Sequence, residues 1–162
     1  MSTEPSITIR RIYVAGPMTN VPQFNVPLFE HVTDVLRADG WDVVNPIELD
    51  PKEVYEAMLN SPDGDLPSLV EATRHIPGAD VEFFDAMARD LRVIDTCTHL
   101  CMLPGWEHSR GARLEHFFAT SEGKQIFEYR QEMVIECRTK TQIVAPPPRT
   151  TLGRRMTQPS PQ

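Results

Sequence analysis

Glu115 stands one helical turn past Gly111 and six residues past Ser109, at the end of the run Pro104-Gly-Trp-Glu-His-Ser-Arg-Gly-Ala-Arg-Leu-Glu115. Just upstream, Leu100-Cys-Met-Leu103 reads as a short apolar strand. Beyond Gly111 the pattern turns helical, with Leu114, Phe117 and Phe118 on one apolar stripe. A strand feeding a Pro/Gly-rich loop and then a helix opened by Ser109 presents unpaired backbone N–H groups and a positive dipole end to an anionic or polyhydroxy ligand. Helical side chains lean toward the N-terminus, so Glu115 is expected to aim back over Gly111, which has no side chain to block it. A carboxylate aimed at a ligand cradled by its own helix start points to chemistry as well as binding.

Alternating strands and helices supply the frame for this run. Ile7 to Ala15 is β-branched and aromatic, closed by Gly16-Pro17. Residues 25–39 carry Leu28, Phe29, Val32, Val35 and Leu36 at helical spacing, with Gly40 as the stop. Trp41 to Val44 reads as a second strand, ended by Asn45-Pro46. The stretch 48–80 reads as an irregular excursion with one short helix at 54–59. A helix is expected over 81–94 with Phe84, Met87, Ala88, Leu91 and Ile94 buried, followed by a strand at 98–103, a helix at about 110–122 and a strand at about 125–129. This predicts one α/β domain over 7–130, a flavodoxin/Rossmann-like, mostly parallel sheet of about five strands flanked by helices. Residues 131–144 hold one further candidate strand, Met133 to Cys137. The Pro-, Thr-, Arg- and Gln-rich stretch 145–162 is expected to be a disordered tail. Ligands of such sheets bind beyond the carboxyl ends of the strands, where the loops after Ala15, Asn45 and Leu103 gather.

Composition narrows the function classes. A net charge of −7 argues against a nucleic-acid partner, which needs a basic face. No apolar run approaches the length of a membrane span, and the first residues lack signal-peptide character, so a cytoplasmic protein without a membrane partner is expected. Cys97, Cys101 and Cys137 fit reduced thiols. The five histidines show no metal-ligand spacing, so neither metal nor organic cofactor is expected.

Three features together, Ile12-Tyr-Val-Ala-Gly-Pro17, Arg89-Asp90-Leu91 in the third expected helix, and Ser109-x-Gly111-x-x-x-Glu115, resemble the nucleoside 2-deoxyribosyltransferase superfamily, and within it a branch found in phages and bacteria. The resemblance covers about residues 8–130. It implies cleavage or transfer at the N-glycosidic bond of a (deoxy)nucleoside or its 5′-monophosphate, without a cofactor. It makes Glu115 the nucleophile, Asp90 the second carboxylate, and Tyr13 the hydroxyl that orients the nucleophile. Ser109 and Gly111 would hold the sugar's 5′ end, most favourably a 5′-phosphate, and Gly16 and Asn45 would border the base. A homodimer or larger homo-oligomer is implied as well. The chemistry agrees, since a carboxylate beside C1′ stabilises an oxocarbenium-like state and can capture it as an ester. Two other readings stay open. One is a nucleoside monophosphate phosphoribohydrolase, whose Pro-Gly-Gly loop is shorter than the loop begun here by Pro104-Gly105. The other is a nucleotide-binding sensor or sequestering protein without turnover. A structural reading stands beside each assignment: Glu115 could be an ordinary exposed helix carboxylate and Tyr13 a core aromatic with a satisfied hydroxyl. Asp90 could pair with Arg89 or Arg92, Ser109 could be only a helix cap, and Arg113 could face away from the site.

Overall fold

The computed structural model of the chain describes residues 10–130 and 133–137. The expected start of the first strand at 7–9 and the expected disordered tail at 145–162 lie outside the described residues. In chain order the elements are β1 (Arg11–Ala15), α1 (Val26–Ala38), β2 (Asp42–Val44), α2 (Lys52–Leu59), α3 (Leu66–Thr73), α4 (Phe83–Asp95), β3 (His99–Met102), α5 (Arg110–Ser121), β4 (Gln125–Arg130) and β5 (Met133–Cys137).

The strands lie in the order β2-β1-β3-β4-β5. The first four are parallel, and β5 returns antiparallel along β4 with Phe127 opposite Glu136. The expected α/β architecture is therefore present as a four-stranded parallel sheet with one antiparallel edge strand. From β1 the chain steps to β2 on one side, then crosses to β3 on the other. That reversal puts a topological switch point between β1 and β3, where a crevice opens at the carboxyl edge.

Strand alternation divides the core between the two faces of the sheet. Ile12 and Val14 pack with Phe29, Val32 and Leu36 of α1. Tyr13 and Ala15 point the other way and pack with Ile94 of α4 and with Ala112 and Ala119 of α5. Both strand ends approach closely at Gly16, where a Cβ would come within 2.6 Å of the Leu103 Cβ.

The structure corrects the sequence reading at three places. The excursion at 48–80 contains a second helix, α3, started by Asp65, whose carboxylate accepts from the Ser68 N–H at 3.0 Å. Pro67 in its first turn suits a helix start. In α4, Phe84 is 73% exposed and Ala88 is exposed, whereas Asp90 is buried beside Ile94. In α5, Leu114 and Phe117 face outward, and the buried stripe is Ala112, Glu115 and Ala119.

Candidate active site

The buried stripe of α5 brings Glu115 to the sheet. Ala112 and Ala119 are small enough for the helix to approach closely, and Glu115 occupies the position between them, 6% exposed. Opposite it, β1 delivers Tyr13, which is fully buried and donates its hydroxyl to Glu115 Oε1 at 2.8 Å. The residues are 102 apart in sequence, and the strand's period of two and the helix's period of about four both have to be in register for them to meet. Asp90, on the buried face of α4, is the third member.

Glu115 and Asp90 line a cavity of about 120 Å³ at the carboxyl edge, and Tyr13 lies buried behind Glu115. Gly16, Pro46, Ser109, Gly111, Asp90 and Glu115 all line it. Thus the loops after β1, β2 and β3 converge as the α/β pattern requires. Its opposite wall is apolar and includes Phe24, Met58, Leu66 and Leu69. Phe24 is held there by an unusual loop in which Gln23, Phe24 and Asn25 all have positive φ (55°, 51° and 61°). Each such residue costs about 1 kcal/mol or more, offset here by cross-loop bonds: Gln23 N–H to Ser61 O at 2.9 Å, Gln23 Nε2 to Leu59 O at 3.0 Å, and Asn25 Nδ2 to Pro17 O at 2.9 Å.

Each expected site residue has a definite place. Ser109 caps α5, its Oγ accepting from the Ala112 N–H at 3.3 Å, and it still lines the cavity. Gly111 also lines the cavity. Its missing side chain serves the covering helix, because a Cβ there would meet Met87 Cε at 3.3 Å and Phe83 Cε2 at 3.8 Å. Asn45 is buried behind the cavity, not on its surface. Its Oδ1 caps the following 3-10 turn through the Ile47 N–H at 3.0 Å, and Pro46 is the neighbour that reaches the lining. Arg113 is exposed and lines an outer groove with Trp106, Leu114 and Phe117, so it points away from the cavity. Arg110 lies over the Phe83 ring at 4.1 Å.

Sequence reasoning alone does not assign a site role to two residues that the structure brings in. Asp50, from the loop after β2, and Arg89, on α4, both line the cavity. Arg89 Nη1 contacts Asp50 Oδ1 at 2.6 Å, and its Nε contacts Asp90 Oδ1 at 3.0 Å. The pairing of Asp90 with Arg89 is therefore present, but inside the cavity and not at the surface. The one signal for Asp50 is its place shortly after Asn45-Pro46, at the same sheet edge as the other loops.

Burial governs the acid–base state of the group. Desolvation, reinforced by the nearby Asp90 charge, pushes the Glu115 carboxyl up to about 8, while the Tyr13 hydroxyl and Arg89 pull it partly back. Desolvation also raises Asp90, opposed by its ion pair with Arg89 and by the Tyr13 hydroxyl. Asp50 is raised by burial and held back by Arg89, and Tyr13 is pushed up by burial and by the charge of Glu115. The site therefore combines one carboxyl inclined to keep its proton, one carboxylate steadied by a guanidinium, and a phenol bridging toward both. Such an arrangement can donate a proton, accept one and offer an oxygen nucleophile.

Among the described residues no cluster of His, Cys, Asp and Glu has metal-holding geometry, and no helix is long and apolar enough to cross a membrane. No curated protein sequence matches the chain. The family model described as a domain of unknown function, DUF4406, matches residues 10–62 and 66–128, which span every element that builds the cavity, and the chain belongs to that family.

Proposed function

We propose that the chain cleaves or transfers at the N-glycosidic bond of a (deoxy)nucleoside through a glycosyl ester on Glu115. The observation that carries this reading is the buried 2.8 Å hydrogen bond from Tyr13 to Glu115, a carboxyl that lines a cavity together with Asp90 and the start of α5. In the first step the C1′–N bond breaks and its electron pair leaves on the base nitrogen, which takes a proton by way of Asp90. A Glu115 oxygen bonds to C1′ as the bond to the base is lost. Water or a second base then displaces the ester. Positive charge developing on the sugar is stabilised by the carboxylates around it, Asp90 and Glu115, both of them buried.

The charge of the cavity favours an uncharged nucleoside over its 5′-monophosphate. Asp50, Asp80, Asp90 and Glu115 line it, and Arg89 is the single cation among the described lining residues, with two of its nitrogens already engaged. A dianionic phosphate would meet like charge there, whereas Ser109 and the helix start suit a 5′-hydroxyl. We further propose that the protein acts as a homo-oligomer. Support comes from a surface patch in which Phe84 and Phe117 are 73% and 71% exposed, flanked by Arg110 and Leu114.

A panel of nucleosides and matching 5′-monophosphates, incubated with the protein and chromatographed for free base, tests the activity. Release from nucleosides is expected, with competing monophosphates binding more weakly. Glu115→Gln should lower kcat by several orders of magnitude while nucleoside binding persists, because the lost interaction belongs to the transition state. Tight binding with no base released from any substrate would replace this reading with that of a non-catalytic binding protein.

A further inference from the structure

We propose that Arg89 is a positioning residue that keeps Asp90 anionic in the empty site, so that the one proton shared by Asp90 and Glu115 rests on Glu115 and reaches the leaving base by way of Asp90. The second half of this rests on the N-glycosidic reading above; the resting place of the proton does not.

The geometry is a clamp across the cavity. Consecutive residues on a helix do not face each other, so Arg89 can reach its neighbour Asp90 only by folding its guanidinium back along α4. Asp50, arriving from the loop after β2, holds it there: Nη1 contacts Asp50 at 2.6 Å while Nε contacts Asp90 at 3.0 Å. The side chains of Arg89, Asp50 and Asp90 are only 19%, 5% and 10% exposed, so water screens this bridge weakly. Glu115 lacks such a partner. Its hydrogen bond is to the neutral Tyr13 hydroxyl, and no cation contacts it among the described residues. The charged and titratable groups facing the pair are Tyr13 from β1, Asp50 after β2, Asp80 ahead of α4, and Arg89. With one cation among them, and that cation against Asp90, the anion belongs on Asp90. The raised Glu115 and the opposing pull of Arg89 on Asp90 agree with this distribution.

The consequence is a self-contained proton cycle. At rest Glu115 is a carboxylic acid and Asp90 a carboxylate. As a Glu115 oxygen bonds to C1′, its proton moves to Asp90. Asp90 passes that proton to the base nitrogen that receives the C1′–N electron pair. The products are a glycosyl ester, a protonated base and Asp90 again as carboxylate, so the step draws no proton from solvent. Attack of water on C1′ returns one proton to Glu115 as the ester oxygen is released, and the resting state is restored.

The test is a pH titration of the unliganded full chain by carbon NMR, with aspartate and glutamate carboxyls labelled. In Arg89→Met, Asp90 should titrate higher by about one pH unit or more, and Glu115 lower, because losing the neighbouring Asp90 charge outweighs losing Arg89's own weaker pull on Glu115. Arg89→Lys should restore part of the difference. Asp50→Asn should shift both in the opposite sense, because the freed guanidinium is then shared with Asp90 alone; this variant serves if Arg89→Met does not fold. Kinetically, Arg89→Met should lower kcat for nucleosides with little change in KM, and move the pH profile with the titrations. An unchanged Glu115 titration in a folded Arg89→Met protein, or a shift in the same direction in Asp50→Asn, overturns the proposal. Wild-type turnover in Glu115→Gln, with the titrations shifted as expected, would instead overturn the N-glycosidic reading and the delivery step, and leave the proton's resting place on Glu115.

Discussion

A carboxyl that titrates near 8 in the folded chain makes Glu115 a stability liability as well as a reactive group. Its ordinary value is 4.5, so between about pH 4.5 and 8 the unfolded chain has released this proton and the folded chain has kept it. Stability from this group is therefore greatest below 4.5, falls as pH rises toward 8, and levels off above it. A tenfold difference in proton affinity between the folded and unfolded chain corresponds to about 1.4 kcal/mol, so the loss amounts to several kcal/mol at alkaline pH. Glu115→Gln keeps the size and an acceptor for the Tyr13 hydroxyl but has nothing to ionise. The variant should match the wild type in stability near pH 4.5 and exceed it by a few kcal/mol at pH 9, measured by urea denaturation across that range. An identical pH dependence for the two proteins would mean that Glu115 is ionised without penalty. This is the trade expected where a buried acid is retained for chemistry and not for folding.

At the scale of elements, the instructive case is α5. Leu114, Phe117 and Phe118 form the more obvious apolar stripe in sequence, yet the helix buries Ala112, Glu115 and Ala119. Close approach explains the choice: two alanines let the helix backbone come near the sheet, which larger side chains would hold away, and they leave room for the carboxyl. Gly111 continues the same face, where Met87 and Phe83 of α4 cover the first turn. Gly111→Ala sets two small effects against each other. Alanine is favoured in a helix by up to about 1 kcal/mol, while its Cβ at 3.3 Å from the Met87 methyl requires that flexible tip to shift by a few tenths of an ångström. The flexible partner should yield, so Gly111→Ala is expected to change stability by less than about 1 kcal/mol. Gly111→Leu would have to displace both covering side chains and should cost about 1–3 kcal/mol. Thermal unfolding of the two variants checks this, and equal destabilisation by both would mean that the α4–α5 contact is rigid. Local signals also explain why α3 is hard to read from sequence: eight residues opened by Asp65 and carrying Pro67 give a weak helical period but a complete cap.

At the scale of the whole molecule, the outward stripe of α5 is left over from the core and joins Phe84 of α4 through Arg110, which lies 5.4 Å from the Phe84 ring. Aromatic side chains more than 70% exposed on neighbouring helices are the surface that a second copy would cover. Phe117→Glu is therefore expected to convert the proposed homo-oligomer to monomer in sedimentation velocity, with the chain still folded. A wild-type chain that sediments as a monomer at micromolar concentration would exclude the assembly. What the sequence determined by itself was the alternation of strands and helices, the carboxyl edge as the place where loops meet, and Ser109, Gly111 and Glu115 as a helix-start constellation, because hydrophobic period, capping residues and turn residues are local signals. Tertiary structure alone decided which stripe of α4 and α5 turned inward, since helix packing weighs side-chain size against backbone approach and not hydrophobicity alone. It alone brought Asp50 to Arg89, and it alone gave Tyr13 and Glu115, expected together only from the family resemblance, a measured contact, because partners 39 and 102 residues apart have no local signal and meet only when strand order and helix register are fixed together.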